Sequence, residues 1–243
     1  MSGFLGSAVG WRTVMALIAL LALVSLMTIL LFVRDRSVGS ATSPAHLLSA
    51  LTGKRSGLVI FTTFLQMASL FCTYALFAPF VIHKFGIAAD QVFLLLLVFG
   101  TCGVFGNILA GRLSDRFGVD RIILISLIGS IIAFLLVLVA GASLVTGFFI
   151  LCFWAIMSMI FHTPQQQRIA NISVEQRSLL LALNAAAVYL GMSVGSWVSR
   201  TASVYWGYES LPALSAAVMA LCTVVFLTSV RVLKTEPPIE TDT

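Results

Sequence analysis

Residues 111–121 read Gly-Arg-Leu-Ser-Asp-Arg-Phe-Gly-Val-Asp-Arg, and they separate two apolar stretches that are each long enough to cross a bilayer. Five of these eleven residues are Arg or Asp, in a chain of which only 9% of the residues are charged. Two hydrophobic helices can be joined with far less charge than this. We therefore interpret 111–121 as a charged loop with a specific role at the membrane surface.

The composition of the whole chain indicates a membrane protein. Its 243 residues are 60% hydrophobic, with a mean hydropathy of +1.08. The apolar runs are continuous rather than alternating, which favours helices over a β-barrel. The net charge of +5 is modest and gives no reason to expect nucleic-acid binding. Four cysteines lie inside apolar runs, where we expect small core side chains rather than disulfides or metal ligands: Cys72, Cys102, Cys152 and Cys222.

A helical crossing needs about 20 mostly apolar residues. The sequence predicts seven crossings, over 13–33, 58–82, 91–111, 122–141, 144–163, 178–199 and 211–230. The fourth and fifth are separated by three residues, but the 46 residues from 122 to 167 contain no Asp, Glu, Lys or Arg. That length is about twice one crossing, so we expect a tight helical hairpin there.

The positions of the basic residues support seven crossings and predict their orientation. Eleven Lys and Arg residues fall on one side of the membrane and three on the other, namely Arg12, Lys84 and Arg200. If the fourth and fifth crossings were one, the division would be eight against six. Because positive residues concentrate in the cytoplasm, we expect 111–121 and the C-terminus to be cytoplasmic and the N-terminus to lie outside.

The chain therefore divides into four parts. Residues 1–33 are predicted as a true crossing and not a signal peptide, because Arg34 and Arg36 follow the apolar run. Residues 34–57 are expected to be a cytoplasmic linker with a short amphipathic helix that begins at Ser43-Pro44. Six crossings follow over 58–230, and 231–243 is expected to be a disordered cytoplasmic tail.

Two predicted crossings carry stripes of polar and aromatic side chains at helical spacing. The second contains Thr62, Gln66, Ser69 and Thr73, with Tyr74 beside them, and the fifth contains Trp154, Ser158, Phe161, His162 and Gln165. We favour a substrate cavity lined by both stripes, with Gln66, Ser69, Thr73, Tyr74, Trp154, Ser158 and His162 as candidates. The alternative is hydrogen bonding between helices, which contributes about 0.6–2 kcal/mol per contact.

The third and sixth crossings carry small residues along one face. We assign these residues to close helix packing: Gly100, Gly103 and Asn107 in the third crossing, and Asn184, Gly191 and Gly195 in the sixth. No Asp or Glu lies deep in any predicted crossing, which weighs against a complete proton-coupled machine. The sequence shows no phosphate-binding loop, metal-ligand spacing or nucleophile–base pair, so we expect neither an enzyme nor a metal or other cofactor.

The 111–121 segment resembles the loop signature of the major facilitator superfamily, Gly-x-Leu-x-Asp-Arg-x-Gly followed by basic residues. It departs from that signature at Val119 and Asp120, as does the degenerate second copy between the eighth and ninth helices. Gly10-Trp11-Arg12 is similar to the passage from the fifth to the sixth helix in the bacterial drug and sugar efflux (arabinose efflux permease-like) branch. The stretch 184–195 is similar to the eleventh helix. The resemblance implies helices six to twelve, which are one six-helix half plus one extra N-terminal helix.

The resemblance also implies a role for the charged loop and for the two polar stripes. Gly111, Asp115, Arg116, Gly118 and Arg121 would form a cytoplasmic latch, with Asp115 accepting backbone hydrogen bonds at the start of the fourth crossing. The alternative is that the arginines only set the orientation of the chain. In the family the seventh and tenth helices line the central cavity, and these correspond to the second and fifth crossings here.

The implied function is efflux-type secondary transport of small organic molecules across a bacterial inner membrane. The first five helices of the family pattern have no counterpart in this chain, so we expect an incomplete transporter that needs an N-terminal half and the lipid bilayer as partners. One alternative is a non-transporting membrane partner or adaptor subunit. Another is an unrelated seven-helix receptor, which the charged loop and the helix register disfavour.

Overall fold

A computed structural model describes residues 10–32, 53–173 and 175–235, and within these ranges it contains α-helices, two short 3₁₀ turns and no β-strand. The described helices are α1 (Trp11–Phe32), α2 (Lys54–Tyr74), α3 (Phe77–Phe85), α4 (Val92–Phe117), α5 (Val119–Val139), α6 (Leu144–Ile160), α7 (His162–Ala170), α8 (Arg177–Trp206) and α9 (Leu211–Thr235). Seven stretches of described helix are long and apolar enough to cross a membrane. The prediction of an all-α membrane protein with seven spanning helices is confirmed.

Helix α1 forms one unit, and α2 to α9 belong to a second. The hydroxyl groups of Ser25 and Thr28 in α1 donate to the carbonyl oxygens of Leu21 and Val24, one turn earlier in the same helix. Because α1 satisfies these polar groups internally, it is compatible with an apolar environment on every side.

Two of the predicted crossings are broken helices. The stretch 58–82 was predicted as one helix, but α2 ends at Tyr74 and α3 begins at Phe77. The stretch 144–163 was also predicted as one, but α6 ends at Ile160 and α7 begins at His162. The physical cause is a proline in the first turn of each second piece. Pro79 and Pro164 lack the N–H that would bond the carbonyl four residues earlier, and their rings clash with that carbonyl.

The spanning segments of the second unit form two groups of three: α2–α3, α4 and α5, then α6–α7, α8 and α9. The first helix of each group packs between the second and third helices of the other group. Helix α2 packs between α8 and α9, and α6 packs between α4 and α5. Helix α5 also packs on α9, which joins the two groups. The core contains the fully buried side chains of Phe80, Phe134, Trp154 and Phe226.

Small residues permit the closest of these approaches. A Cβ atom at Gly191 or Gly195 in α8 would overlap the carbonyl oxygens of Phe64 and Ala68 in α2. A Cβ atom at Gly106 in α4 would lie 2.7 Å from the carbonyl oxygen of Ile156 in α6. Helices α2 and α6 are therefore each held against a neighbour at backbone-to-backbone distance.

The prediction that residues 111–121 form a loop is wrong, because nearly all of them are helical. Helix α4 continues to Phe117, α5 begins at Val119, and Gly118 alone joins them with φ of +88°. A helix of 26 residues is about 39 Å long, whereas the hydrocarbon layer is about 30 Å thick. The charged residues at the end of α4 thus lie in the part of the helix that is not needed to cross the hydrocarbon. The positive φ at position 118, where α4 meets α5, requires glycine.

The C-terminal helix is also longer than predicted. Helix α9 runs to Thr235, five residues into the stretch expected to be a disordered tail. The Thr235 hydroxyl donates to the carbonyl oxygen of Arg231, and Lys234 in the last turn complements the helix dipole. The predicted amphipathic helix in the linker and the rest of the tail lie outside the described residues.

Candidate substrate cavity and charged joint

A cavity of about 380 Å³ opens between α2, α4, α6 and α8, and we call it the Tyr74 cavity. Its lining is apolar and aromatic apart from the Tyr74 hydroxyl and the Asn107 amide: Met67, Leu70, Phe71, Tyr74, Phe99, Gly100, Gly103, Val104, Asn107, Met159 and Met192. Among these described lining residues there is no Asp, Glu, Lys or Arg. The cavity can therefore hold an uncharged apolar body and offers it few polar contacts.

Of the seven predicted cavity residues, Tyr74 alone lies in this lining. Ser69 and Thr73 instead face α9, where the Ser69 hydroxyl donates to the carbonyl oxygen of Ser215 at 2.7 Å. The Thr73 and Ser215 hydroxyl oxygens are also 2.7 Å apart. In this part of the polar stripe of the second predicted crossing, the structure shows hydrogen bonding between helices. This is the alternative to a substrate cavity that the sequence left open.

Gln66 in α2 and Trp154 and Ser158 in α6 are buried and lie outside the cavity lining. The Gln66 amide Nε2 is 3.5 Å from the carbonyl oxygen of Ser158. Gln66 Oε1, Ser158 Oγ and Trp154 Nε1 are buried and have no hydrogen-bond partner among the described residues. The Trp154 ring packs against Tyr74 and Phe99, with ring centroids 6.4 and 5.1 Å away. Trp154 is thus in contact with two of the aromatic rings that line the cavity.

The last residues of the stripe in the fifth predicted crossing do not reach the Tyr74 cavity either. His162 is half-buried at the start of α7, and its ring stands at right angles to that of Phe161, with centroids 5.8 Å apart. The Gln165 amide Nε2 donates to the carbonyl oxygen of Val59 and to the Thr63 hydroxyl, which ties α7 to α2. This stripe is divided by the break at Phe161, so its members cannot share one helical face.

Three residues that we assigned to packing also line the cavity: Gly100, Gly103 and Asn107. No atom lies within 4 Å of a Cβ built on Gly100, whereas one on Gly103 would lie 2.9 Å from Cγ of Met159. The Asn107 Oδ1 accepts a hydrogen bond from the Thr163 hydroxyl at 2.6 Å. The polar amide within a glycine stripe was the signal in the sequence that this face borders a cavity.

The packing candidates in α8 are placed differently. Gly191 and Gly195 lie against α2, as described above. Asn184 is buried, and its Oδ1 has no hydrogen-bond partner within the described part of the chain. This stripe therefore forms the contact between α8 and α2 rather than a cavity wall.

The residues predicted as a latch are mostly exposed. Gly111 lies within α4 with no atom within 4 Å of a built Cβ, and Asp115 forms no ion pair or hydrogen bond with the described residues. The Arg116 guanidinium lies 5.2 Å from the centroid of the adjacent Phe117 ring. Helix α5 begins at Val119, directly after Gly118, and has no side-chain cap, so the predicted capping role of Asp115 is wrong.

Within the described residues, Asp120 forms an ion pair, and it is one of the two departures from the family signature. Its Oδ1 lies 3.1 Å from Nε of Arg168, whose side chain is 5% exposed. The Arg168 Nη2 donates to the Ser229 hydroxyl at 2.9 Å, and the guanidinium lies 4.8 Å from the Phe226 ring centroid. Arg168 therefore links the start of α5, the end of α7 and α9.

Comparison with known proteins agrees with this architecture. Residues 59–243 match the family profile described as Major Facilitator Superfamily. An uncharacterized MFS-type transporter, YbcL, of Bacillus subtilis (strain 168) is 26% identical over 194 residues, which are 79% of this chain and 49% of that protein. The chain thus spans about half the length of this curated relative. The family profile covers most of the chain, and the chain belongs to the major facilitator superfamily.

Proposed function

We propose that this multi-pass membrane protein of the major facilitator superfamily forms helices six to twelve of an efflux-type secondary transporter for small organic molecules. The observation that carries the proposal is the Tyr74 cavity, which lies where α2 and α6 meet α4 and α8. Family transporters place their substrate sites at the interface between repeats, near discontinuous helices. Both α2–α3 and α6–α7 are discontinuous. We further propose a bacterial inner membrane location, with the C-terminus cytoplasmic and the N-terminus of this chain outside.

The lining of the Tyr74 cavity favours a substrate with an apolar or aromatic body and one or two hydrogen-bonding groups. Three methionines contribute to it, Met67, Met159 and Met192. Methionine side chains are unbranched and adaptable, so they accommodate ligands of different shapes. The Tyr74 hydroxyl and the Asn107 amide are the polar groups that would orient such a ligand.

Filling the cavity tests this proposal. The chain is expressed together with the first five helices of a related family member, and efflux of a panel of uncharged and cationic aromatic dyes is measured in cells. Gly100→Leu places a branched side chain into open cavity space and is expected to lower efflux at least tenfold. Thr101→Leu places the same leucine side chain at the neighbouring exposed position outside the lining and is the control. Equal efflux by the two variants at equal expression would contradict the proposal.

A second candidate function is a non-transporting partner or adaptor subunit in the membrane. The absence of Asp, Glu and His from the described lining of the Tyr74 cavity favours it, because proton-coupled sites use such side chains. Under this alternative, no dye is exported with or without the five added helices, and the chain instead co-purifies with another membrane protein.

We also propose that the Asp120–Arg168 pair, rather than Asp115, stabilises one transport state. The pair joins α5 to α7 beside Gly118, and α7 continues from α6, which borders the Tyr74 cavity. Breaking the pair would change the relative stability of the two states that the cavity alternates between. Efflux by Asp120→Asn and Asp115→Asn, measured at matched expression, distinguishes the two carboxylates.

A further inference from the structure

A second cavity, of about 660 Å³, lies beside the Gly118 joint, and we call it the Arg168 cavity. Three guanidinium groups and one carboxylate line it, from Arg55, Arg121, Arg168 and Asp120. Its charged lining therefore carries a surplus of positive charge, in contrast to the uncharged Tyr74 cavity. Asn171 adds an amide to the same lining.

The most buried of these groups has unused hydrogen-bond donors. The Arg168 residue is 6% exposed, and among the described residues its Nε and Nη1 atoms have no hydrogen-bond partner. The 3.1 Å contact with Asp120 brings the charges together without forming a hydrogen bond. Buried donors without partners are costly, and in native proteins they usually indicate a missing ligand or water.

The backbone next to Arg168 also favours an anion. Helix α5 is 21 residues long and begins at this cavity, with no side-chain cap on its first turn. The free N–H groups and the dipole at a helix N-terminus attract negative charge. Asp120 supplies part of that charge but is 47% exposed and engages one edge of the Arg168 guanidinium.

We propose that the Arg168 cavity binds a phosphate group, and specifically the headgroup phosphate of an anionic phospholipid. Arginine recognises phosphate through charged, planar hydrogen bonding. The unused Arg168 donors, the exposed Arg121 and the first turn of α5 would share the phosphate oxygens. Such a ligand would satisfy the buried guanidinium without displacing Asp120.

The depth of the cavity identifies a lipid as the source of the phosphate. Its walls come from the ends of spanning helices, because Phe117 ends α4, Val119 begins α5, and Leu233 lies two residues before the end of α9. Phospholipid headgroups occupy this level of the bilayer, and basic pockets between helix ends bind them. Free phosphate has the same chemistry but no reason to concentrate there.

Lipid binding to the purified full-length chain tests the site without any transport assay. The retention of phosphatidylglycerol, phosphatidylcholine and inorganic phosphate is measured by native mass spectrometry of the chain released from detergent. We expect the chain to retain phosphatidylglycerol in preference to phosphatidylcholine. Arg121→Gln is expected to reduce phosphatidylglycerol retention by about fivefold, as for the loss of one basic residue near a membrane surface.

Two further variants separate a site from general attraction. Arg116→Gln removes an exposed arginine of the same joint that is outside the cavity lining, and we expect little change. Asp120→Asn removes the carboxylate from the cavity and is expected to increase retention, also by about fivefold. Opposite effects of the Arg121 and Asp120 variants would support the site, since a folding defect cannot produce both.

Equal losses in Arg121→Gln and Arg116→Gln would overturn the proposal, because they would show diffuse attraction to a basic surface. Equal retention of phosphatidylglycerol and phosphatidylcholine would overturn the assignment to an anionic lipid. If millimolar inorganic phosphate displaces phosphatidylglycerol from the wild type, the phosphate group itself is confirmed as the bound chemistry. If Arg121→Gln binds less lipid while inorganic phosphate has no effect, the lipid is confirmed as the source.

Discussion

The two broken helices have the same plan and differ in how their polar side chains are satisfied. Each consists of a long piece followed by a nine-residue piece that begins shortly before a proline, as α2–α3 and α6–α7. Their breaks lie at opposite ends of the bundle: α2 starts near the Gly118 joint, whereas α6 starts beside Phe85 at the far end. Helix α2 directs Ser69 and Thr73 into hydrogen bonds with α9. Helix α6 leaves Trp154 Nε1 and Ser158 Oγ buried without partners in the described chain, and α2 leaves Gln66 Oε1 in the same state.

This difference indicates that the two helices have different tasks. Hydrogen bonds across a helix interface fix the helices relative to each other. Buried polar atoms without partners are instead costly, and they are retained where a ligand or a second conformation can satisfy them. We infer that α2 is fixed on α9, and that α6 is the helix whose polar surroundings are less completely satisfied.

The largest expected effect comes from the close approach that fixes α2 on α8. Gly195→Leu would push a side chain into the Ala68 carbonyl and is expected to destabilise the protein by about 3 kcal/mol or more. Gly106→Leu tests the corresponding contact of α4 with α6. Because that contact is less close, a smaller loss is expected. Denaturant titration of the detergent-purified variants measures both, and a larger loss for Gly106→Leu would reverse the proposed roles of α2 and α6.

The next effect concerns the ion pair between Asp120 at the start of α5 and Arg168 in α7. Asp120→Asn removes the carboxylate beside the buried Arg168 and is expected to cost about 1–2 kcal/mol of stability, since Asp120 is partly exposed. Asp115→Asn is the control, because Asp115 is exposed and its change should lie within about 0.5 kcal/mol. The same titration applies, and similar losses for the two variants would refute the selective role of Asp120.

The smallest effect compares the polar side chains of α2 and α6 directly. Thr73→Val removes the hydroxyl contact with Ser215 and is expected to cost about 0.6 kcal/mol. Ser158→Ala removes a buried hydroxyl that has no partner among the described residues, so it should be neutral or slightly stabilising. A clear loss of stability in Ser158→Ala would mean that this hydroxyl is already satisfied, and the contrast between the two helices would fail.

The class of the protein and its seven crossings could be predicted because hydropathy and basic residues report directly on the bilayer. The helix breaks were also encoded, since Pro79 and Pro164 mark them, but a hydropathy window averages over a proline. The Tyr74 cavity was less accessible. A polar stripe gives no information on which neighbour it faces, so Ser69 and Thr73 were assigned to the cavity instead of α9. The Asp120–Arg168 pair joins distant parts of the chain, and no local pattern predicts such a partner.

Gly118 also fixes the rotational phase of α5. Because one residue joins α4 to α5, inserting or deleting a single residue there would turn α5 by about 100° about its axis. Ser126 and Gly129 of α5 both contact Met157 of α6, and the Ser126 hydroxyl donates to the Met157 carbonyl oxygen. The rotation would turn both residues away from α6. The joint therefore tolerates changes of side chain on either side of it far better than any change of length.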